Sequence, residues 1–292
     1  MFVLISACGT KPTQMDGRRS DPPGGGDAGA NPKEPFESPE PMQTPEPEPL
    51  QTPDHPTPSG TAKMDLVGLK VTLDVGHAYK GGDRSAQSRG INEHTKVRAQ
   101  AAIIEKKLKA RGASVTIKTY EYADADTSTL AARGKAGAGS TVLVSLHHNA
   151  YDTDVQGTET LIDTRRGMVE ADKRFAKFIQ DAMLAALWKG NLKQYGGRLD
   201  RGVKDQELRV MVSTPKSVAA CCTTEPYFIT GKGAAENAEA WTVASAHAIA
   251  DGIAQWWKFK SGAMSLYSQY EPPLSFDLTP SDPIDAEVYR DH

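Results

Sequence analysis

The sequence predicts an α/β fold: a mainly parallel central sheet with helices on both faces, in a single domain. Three observations predict it. Short apolar runs rich in β-branched residues, at 69–75, 141–146 and 218–224, alternate with stretches of helical periodicity. The helical stretches are one-sided, with apolar stripes suited to lie on a sheet. Composition then confines the core, because 13 of the 19 prolines lie between Pro12 and Pro58. Outside the two tails, roughly 195 residues remain, enough for one sizeable core.

The elements follow in order. Residues 69–75 read as a buried strand. Residues 94–111 read as a helix in which Val97, Ala101, Ile104 and Leu108 recur at helical spacing, and Gly112 ends it. Residues 114–119 alternate Val115 and Ile117 as a strand. Residues 128–135 form a short helix with Ser128 as N-cap. Strands are expected at 141–146 and 157–163. An amphipathic helix at 170–188 carries Phe175, Ile179, Ala182 and Ala186 on one stripe. Strands at 207–212 and 218–224 precede a final helix at 234–257, with Trp241, Ala248, Ile249, Ile253 and Trp256 facing inward.

The ends of the chain differ from this core. Residues 9–62 are acidic and Pro-rich, with Phe36 as their one aromatic. Such a stretch buries too little apolar surface to offset its ordering entropy and is expected to be a disordered linker. Residues 261–292, with six acidic residues and one arginine, read as a disordered acidic tail. The net charge of −3 and the absence of a basic stripe interleaved with aromatics argue against nucleic acid. The pairs Arg18-Arg19 and Arg165-Arg166 read as solvated surface. No run of about 20 apolar residues exists to span a membrane. Of the three cysteines, Cys221 and Cys222 are adjacent and expected on opposite faces of a strand, as small core residues.

Four motifs carry residues of catalytic type: Asp74-Val75-Gly76-His77, Asn92-Glu93-His94, Ser145-Leu146-His147-His148-Asn149 and Thr224-Glu225-Pro226-Tyr227-Phe228. His77, Glu93 and His147 supply two imidazoles and a carboxylate, a hydrolytic zinc set that leaves a fourth position for water. Glu225 adds a carboxylate suited to moving protons. A metal that brings the pKa of bound water to about 7 makes hydroxide available at neutral pH, so the set suggests hydrolysis of a hard bond such as an amide. Spacing alone does not establish this: no pair sits at HExxH spacing, and seven histidines offer several combinations. Position strengthens it, since His77, His147 and Glu225 each follow a predicted strand, where ligands bind in open α/β sheets. Asp74 is either an orienting residue behind the site or an ordinary strand-end aspartate. Strand alternation turns only one of His147 and His148 toward the site. Asn149 either binds substrate or shapes the turn.

These motifs resemble the zinc-dependent N-acetylmuramoyl-L-alanine amidases, cell-wall enzymes with an AmiC-like catalytic domain, over roughly residues 68–257. Leu73-Asp74-Val75-Gly76-His77 resembles the family's first zinc motif, and Glu93 stands at its glutamate ligand, just before a helix. Leu130-Ala131-Ala132-Arg133 resembles its arginine segment, with Arg133 read as structural. Residues 145–150 resemble the second histidine motif, which selects His147 over His148. Arg201-Gly202-Val203-Lys204 resembles a segment before the penultimate strands, and residues 225–230 the catalytic glutamate motif. Two departures concern substrate detail: Ala78-Tyr79-Lys80 delays the Gly-rich stretch after His77, and Pro226-Tyr227 replaces small residues after Glu225.

The resemblance implies a hydrolase for the amide between N-acetylmuramic acid and L-alanine in peptidoglycan, with Zn2+ on His77, Glu93 and His147 and Glu225 as proton shuttle. The rivals are an inactive tethered wall-binding protein and a different zinc amidohydrolase or carboxypeptidase. Some relatives insert a helix that occludes the zinc. Residues 163–204 hold one ordinary amphipathic helix and a Gly-rich stretch, so no plug and no activator are expected. The domain is taken as residues 63–260, and as a monomer. Leu4-Ile5-Ser6-Ala7-Cys8-Gly9 matches a bacterial lipobox, with residues 1–8 as a partial signal peptide. Residues 1–7 are short for a signal peptide, so either translation starts upstream or the match is chance. With no Asp after Cys8, the expectation is a lipoprotein on the periplasmic side of the outer membrane, bound to membrane through its lipid alone.

Overall fold

Alternation of buried apolar strands with one-sided helices is what the chain builds. The computed structural model describes residues 64–77, 80–81, 86–120, 122–123, 127–151, 154–188 and 199–262. The expectations for Cys8, the linker 9–62, Ala78-Tyr79 and residues 263–292 lie outside the described residues.

In chain order the elements are β1 (Lys70–Val75), β2 (Lys80–Gly81), β3 (Gln87–Ser88), β4 (Ile91–Asn92), α1 (Glu93–Lys109), β5 (Ser114–Lys118), β6 (Tyr122–Ala123), α2 (Thr127–Lys135), β7 (Val142–Leu146) and β8 (Thr158–Ile162). A 3-10 turn (Thr164–Arg166) leads into α3 (Val169–Leu187), then β9 (Asp200–Asp205), α4 (Arg209–Ser213), β10 (Ala220–Glu225) and α5 (Ala234–Lys260). Six strands form one sheet in the order β5-β1-β7-β10-β8-β9. The first four run parallel, β8 runs antiparallel to β10, and β9 is parallel to β8. Two small two-stranded pairs, β2 with β6 and β3 with β4, stand outside it.

Helices cover both faces. On one, Val71, Leu73 and Val75 of β1, Val142, Val144 and Leu146 of β7, and Cys222 of β10 pack against α1, α3 and α5. On the other, Leu143 and Cys221 meet Val210 and Met211 of α4, with Leu130 of α2 alongside. Cys221 and Cys222 are free thiols that enter these two separate clusters, as strand alternation demands. The helices α3 and α5 cross so closely that a Cβ on Gly252 would lie 2.7 Å from Cα of Ile179.

Several expectations change. Residues 207–212 were expected to be a strand. They contain α4 instead, because Val210 and Met211, neighbours in sequence, are both buried under the sheet. Residues 200–205 form an edge strand, although their Gly and charges hide it in the sequence. Helix α2 begins at Thr127, which puts Ser128 in its first turn, not at its cap. Helix α1 begins at Glu93, capped by the Asn92 side chain accepting from Thr95 N. Arg166 is not solvated surface: it is 2% exposed and donates to Asp172 at 2.5 Å.

Candidate functional site

The site forms where β1, β7 and β10 end. After β1 the chain passes Gly76, whose nitrogen donates to the Leu146 carbonyl at 2.9 Å. A side chain on Gly76 is sterically excluded: its Cβ would meet that carbonyl at 2.4 Å and the His147 ring at 2.6 Å. The Gly76 carbonyl also interacts with His94 Nδ1 at 3.1 Å, which ties the loop before His77 to α1. His77 itself takes a φ of 57°, a left-handed conformation that costs a non-glycine residue about 1–3 kcal/mol and clusters at functional sites.

These constraints bring three ligand atoms together. His77 Nε2, Glu93 and His147 Nδ1 all lie within 4.8 Å of one another. His77 Nε2 is 3.0 Å from Glu93 Oε1, His147 Nδ1 is 3.4 Å from the same oxygen, and the two ring nitrogens are 3.1 Å apart. The imidazoles meet edge to face. Backbone amides fix the carboxylate: His148 N donates to Glu93 Oε1 at 3.0 Å and Ala86 N to Oε2 at 3.2 Å. Burial works against ionisation of Glu93, but His77 and His147 outweigh it and hold its carboxyl well below the usual range. Burial lowers the pKa of His147 and so favours the neutral imidazole a metal needs. Two nitrogens and one carboxylate oxygen converging in this way form a possible metal site.

Glu225, the last residue of β10, is half-buried, and its Oε2 is buried without a hydrogen-bond partner. Burial, with Glu93 and Glu159 nearby, pushes its pKa well above the usual carboxylate range, against the opposing pull of His77. A raised pKa makes the carboxylate a stronger base, which suits it to take up and return a proton.

The remaining sequence candidates support this centre from behind. Asp74 is fully buried and accepts two bonds from Arg133, Nε to Oδ1 at 3.0 Å and Nη2 to Oδ2 at 2.9 Å, with Ser145 Oγ donating at 2.7 Å. That brace joins α2, β1 and β7 beneath the ligand loops. Asn149 donates from Nδ2 to Glu159 at 2.6 Å and accepts Ala150 N on Oδ1, so its amide shapes the turn. His148 turns away and packs on Tyr227 at a centroid distance of 4.3 Å. Burial lowers its pKa to about 3. Tyr227, one of the departures after Glu225, is fully buried and its hydroxyl lies 3.1 Å from Thr242 Oγ1.

Sequence reasoning missed three contributors: Gly76, His94 and Glu159. For Glu159 a signal was present, an acid inside the otherwise uncharged strand Thr-Glu-Thr-Leu-Ile, which demands a buried partner. Glu159 is 1% exposed, and Arg201 and Lys204 of β9 supply the partners.

Comparison with known proteins agrees with this fold. The catalytic domain of CwlV, an N-acetylmuramoyl-L-alanine amidase from Bacillus (Paenibacillus) polymyxa var. colistinus, is 25% identical, with a TM-score of 0.51 over 65% of this chain and 98% of its own. The N-acetylmuramoyl-L-alanine amidase from Clostridium difficile 630 is 20% identical, with a TM-score of 0.54 over 66% of this chain and 98% of its own. AmiC2 of Nostoc punctiforme, 18% identical, has a TM-score of 0.52 over 65% and 97%. The last two likenesses are of fold. No curated protein matches the chain. The model of a family described as N-acetylmuramoyl-L-alanine amidase matches residues 71–255, which include every residue of the site, and the chain belongs to that family.

Proposed function

We propose that the chain cleaves the amide between N-acetylmuramic acid and L-alanine in peptidoglycan, with zinc held by His77, Glu93 and His147 and with Glu225 moving the proton. One observation carries the reading: three metal-type donors converge within 4.8 Å, while the Glu225 carboxyl keeps a buried oxygen without a partner. Bound there, zinc supplies a Lewis acid for the scissile carbonyl and an acidified water near neutral pH. The protein's part follows from its own contacts. Glu93, fixed by two backbone amides, holds its negative charge toward both imidazoles. Glu225 accepts a proton from the attacking water and returns it to the departing alanine nitrogen.

The test is mass spectrometry of digested sacculi with and without chelator. New N-terminal L-alanine stems, lost on chelation, support the reading. Products cut elsewhere in the peptide would favour a different amidohydrolase or carboxypeptidase, and no product at all an inactive wall-binding protein. No added activator is expected to be needed. Location is a separate proposal that rests on the lipobox at Cys8: the chain is a periplasmic lipoprotein of the outer membrane. Labelling with a fatty-acid analogue, lost in Cys8→Ser, supports it. Label that persists in that variant refutes it.

A further inference from the structure

Glu159 is a further buried carboxylate at this end of the sheet, and the chemistry above does not use it. It lies on β8 directly opposite Glu225 of β10 in antiparallel register. Directly opposed residues project from the same face, with Cβ atoms about 4.5–5.5 Å apart. The two carboxylates are nevertheless treated in opposite ways. Glu159 Oε2 accepts from Arg201 Nε at 2.8 Å and Lys204 Nζ at 2.9 Å, and its Oε1 accepts from Asn149 Nδ2 at 2.6 Å. The Arg201 guanidinium also lies 5.2 Å over the Phe228 ring, three residues after Glu225. Glu225 Oε2 has no partner.

A cation that loses Glu159 can turn to its cross-strand neighbour Glu225, and such a pairing is strong where water is excluded. A charge-assisted bond to Glu225 would occupy the lone pairs that must take up a proton. The charged groups that face Glu225 are Glu93 at the start of α1, Glu159 on β8 and His77 after β1. Arg201 and Lys204 face Glu159 from β9. We propose that Glu159 is a positioning residue that, by engaging Arg201, Lys204 and Asn149, keeps both cations off Glu225 and leaves that carboxyl open to exchange a proton. This rests on Glu225 as the proton-moving group.

The test is a double-mutant cycle of Glu159→Gln and Lys204→Met, with wild type, each single variant and the pair read as kcat, KM and bound metal on a muropeptide, and Glu225→Gln as control. Glu159→Gln keeps the shape but frees both cations, and is expected to lower kcat about tenfold or more with KM and metal content unchanged. Adding Lys204→Met removes the more mobile competitor and is expected to restore kcat to within about threefold of wild type, a sign of coupling that a structural role does not give. An unchanged kcat in Glu159→Gln, or a double variant as slow as the single, overturns the proposal. Should the single variant fail to fold with two cations unpaired, the double variant decides alone: a loss of about tenfold there overturns it. A near-normal rate in Glu225→Gln would instead bring down the assignment of Glu225 itself. An inactive Glu225→Gln beside a normal Glu159→Gln removes this inference only.

Discussion

Two groups of buried polar side chains sit at the same end of the sheet and contrast sharply. Around Asp74 the carboxylate is fully met: Arg133 binds both of its oxygens and Ser145 adds a third bond, although the Tyr120 hydroxyl beside Arg133 has no hydrogen-bond partner. Around His77, Glu93, His147 and Glu225 the balance fails. Two imidazole nitrogens crowd one carboxylate oxygen, and a Glu225 oxygen faces the interior with nothing to bind. The first arrangement is how a fold holds a buried charge; the second stores binding capacity for something else. The contrast between the Asp74 carboxylate, which is met, and the Glu225 carboxyl, which is not, separates the brace from the working centre.

Breaking the second group should have the larger effect on function. In His77→Ala with His147→Ala, metal and activity should both disappear; metal content by mass spectrometry checks this, and full occupancy in the double variant would end the ligand assignment. Glu225→Gln should keep its metal yet lose about 10²-fold or more in rate, the usual scale for general acid–base catalysis. A near-normal rate would mean that another group moves the proton. Breaking the first group should act on stability. Arg133→Met strands a buried aspartate and should cost about 3–5 kcal/mol in urea unfolding. A loss below about 1 kcal/mol would show that the brace is dispensable.

The smallest effect sharpens the contrast by reversing its sign. The folded pKa of Glu225 is raised above its unfolded value. Between those two values the folded chain holds a proton that the unfolded chain has released, so stability falls as pH rises through that window. Metal-free Glu225→Gln should therefore be more stable than metal-free wild type at about pH 8, with the gain gone near pH 4, where both states are protonated. Thermal melts at the two pH values measure it, and an equal gain at both would rule out ionisation as its source.

Much of this was legible in the sequence because strand ends announce themselves. The apolar runs before His77 and His147 place both at the carboxyl edge, and alternation turns only one of His147 and His148 to the site, a choice the family resemblance made for His147. What stayed hidden depended on partners distant in sequence. Alternation at Leu208, Val210 and Val212 reads as a strand, but the layer against α2 accepts a helical turn there. The charges of Asp200–Asp205 suggest a loop, yet on an edge strand Arg201 and Lys204 are spent on Glu159. The role of Gly76 comes from the His147 ring lying against it, a contact between residues 71 positions apart.

The adjacent thiols on β10 have a use outside catalysis. Cys222 is sealed in the core under α1, α3 and α5, whereas Cys221 is sealed only by the thinner α2 and α4 layer. Burial pushes the Cys221 thiol up to about 12 and that of Cys222 well above its usual value, so neither reacts until its own side opens. Peeling of α2 and α4 would expose one sulfur, and global unfolding both. One strand thus carries two internal reporters a single peptide bond apart. The ratio of their trapping rates would read out directly how much more easily one face of the sheet breathes than the other.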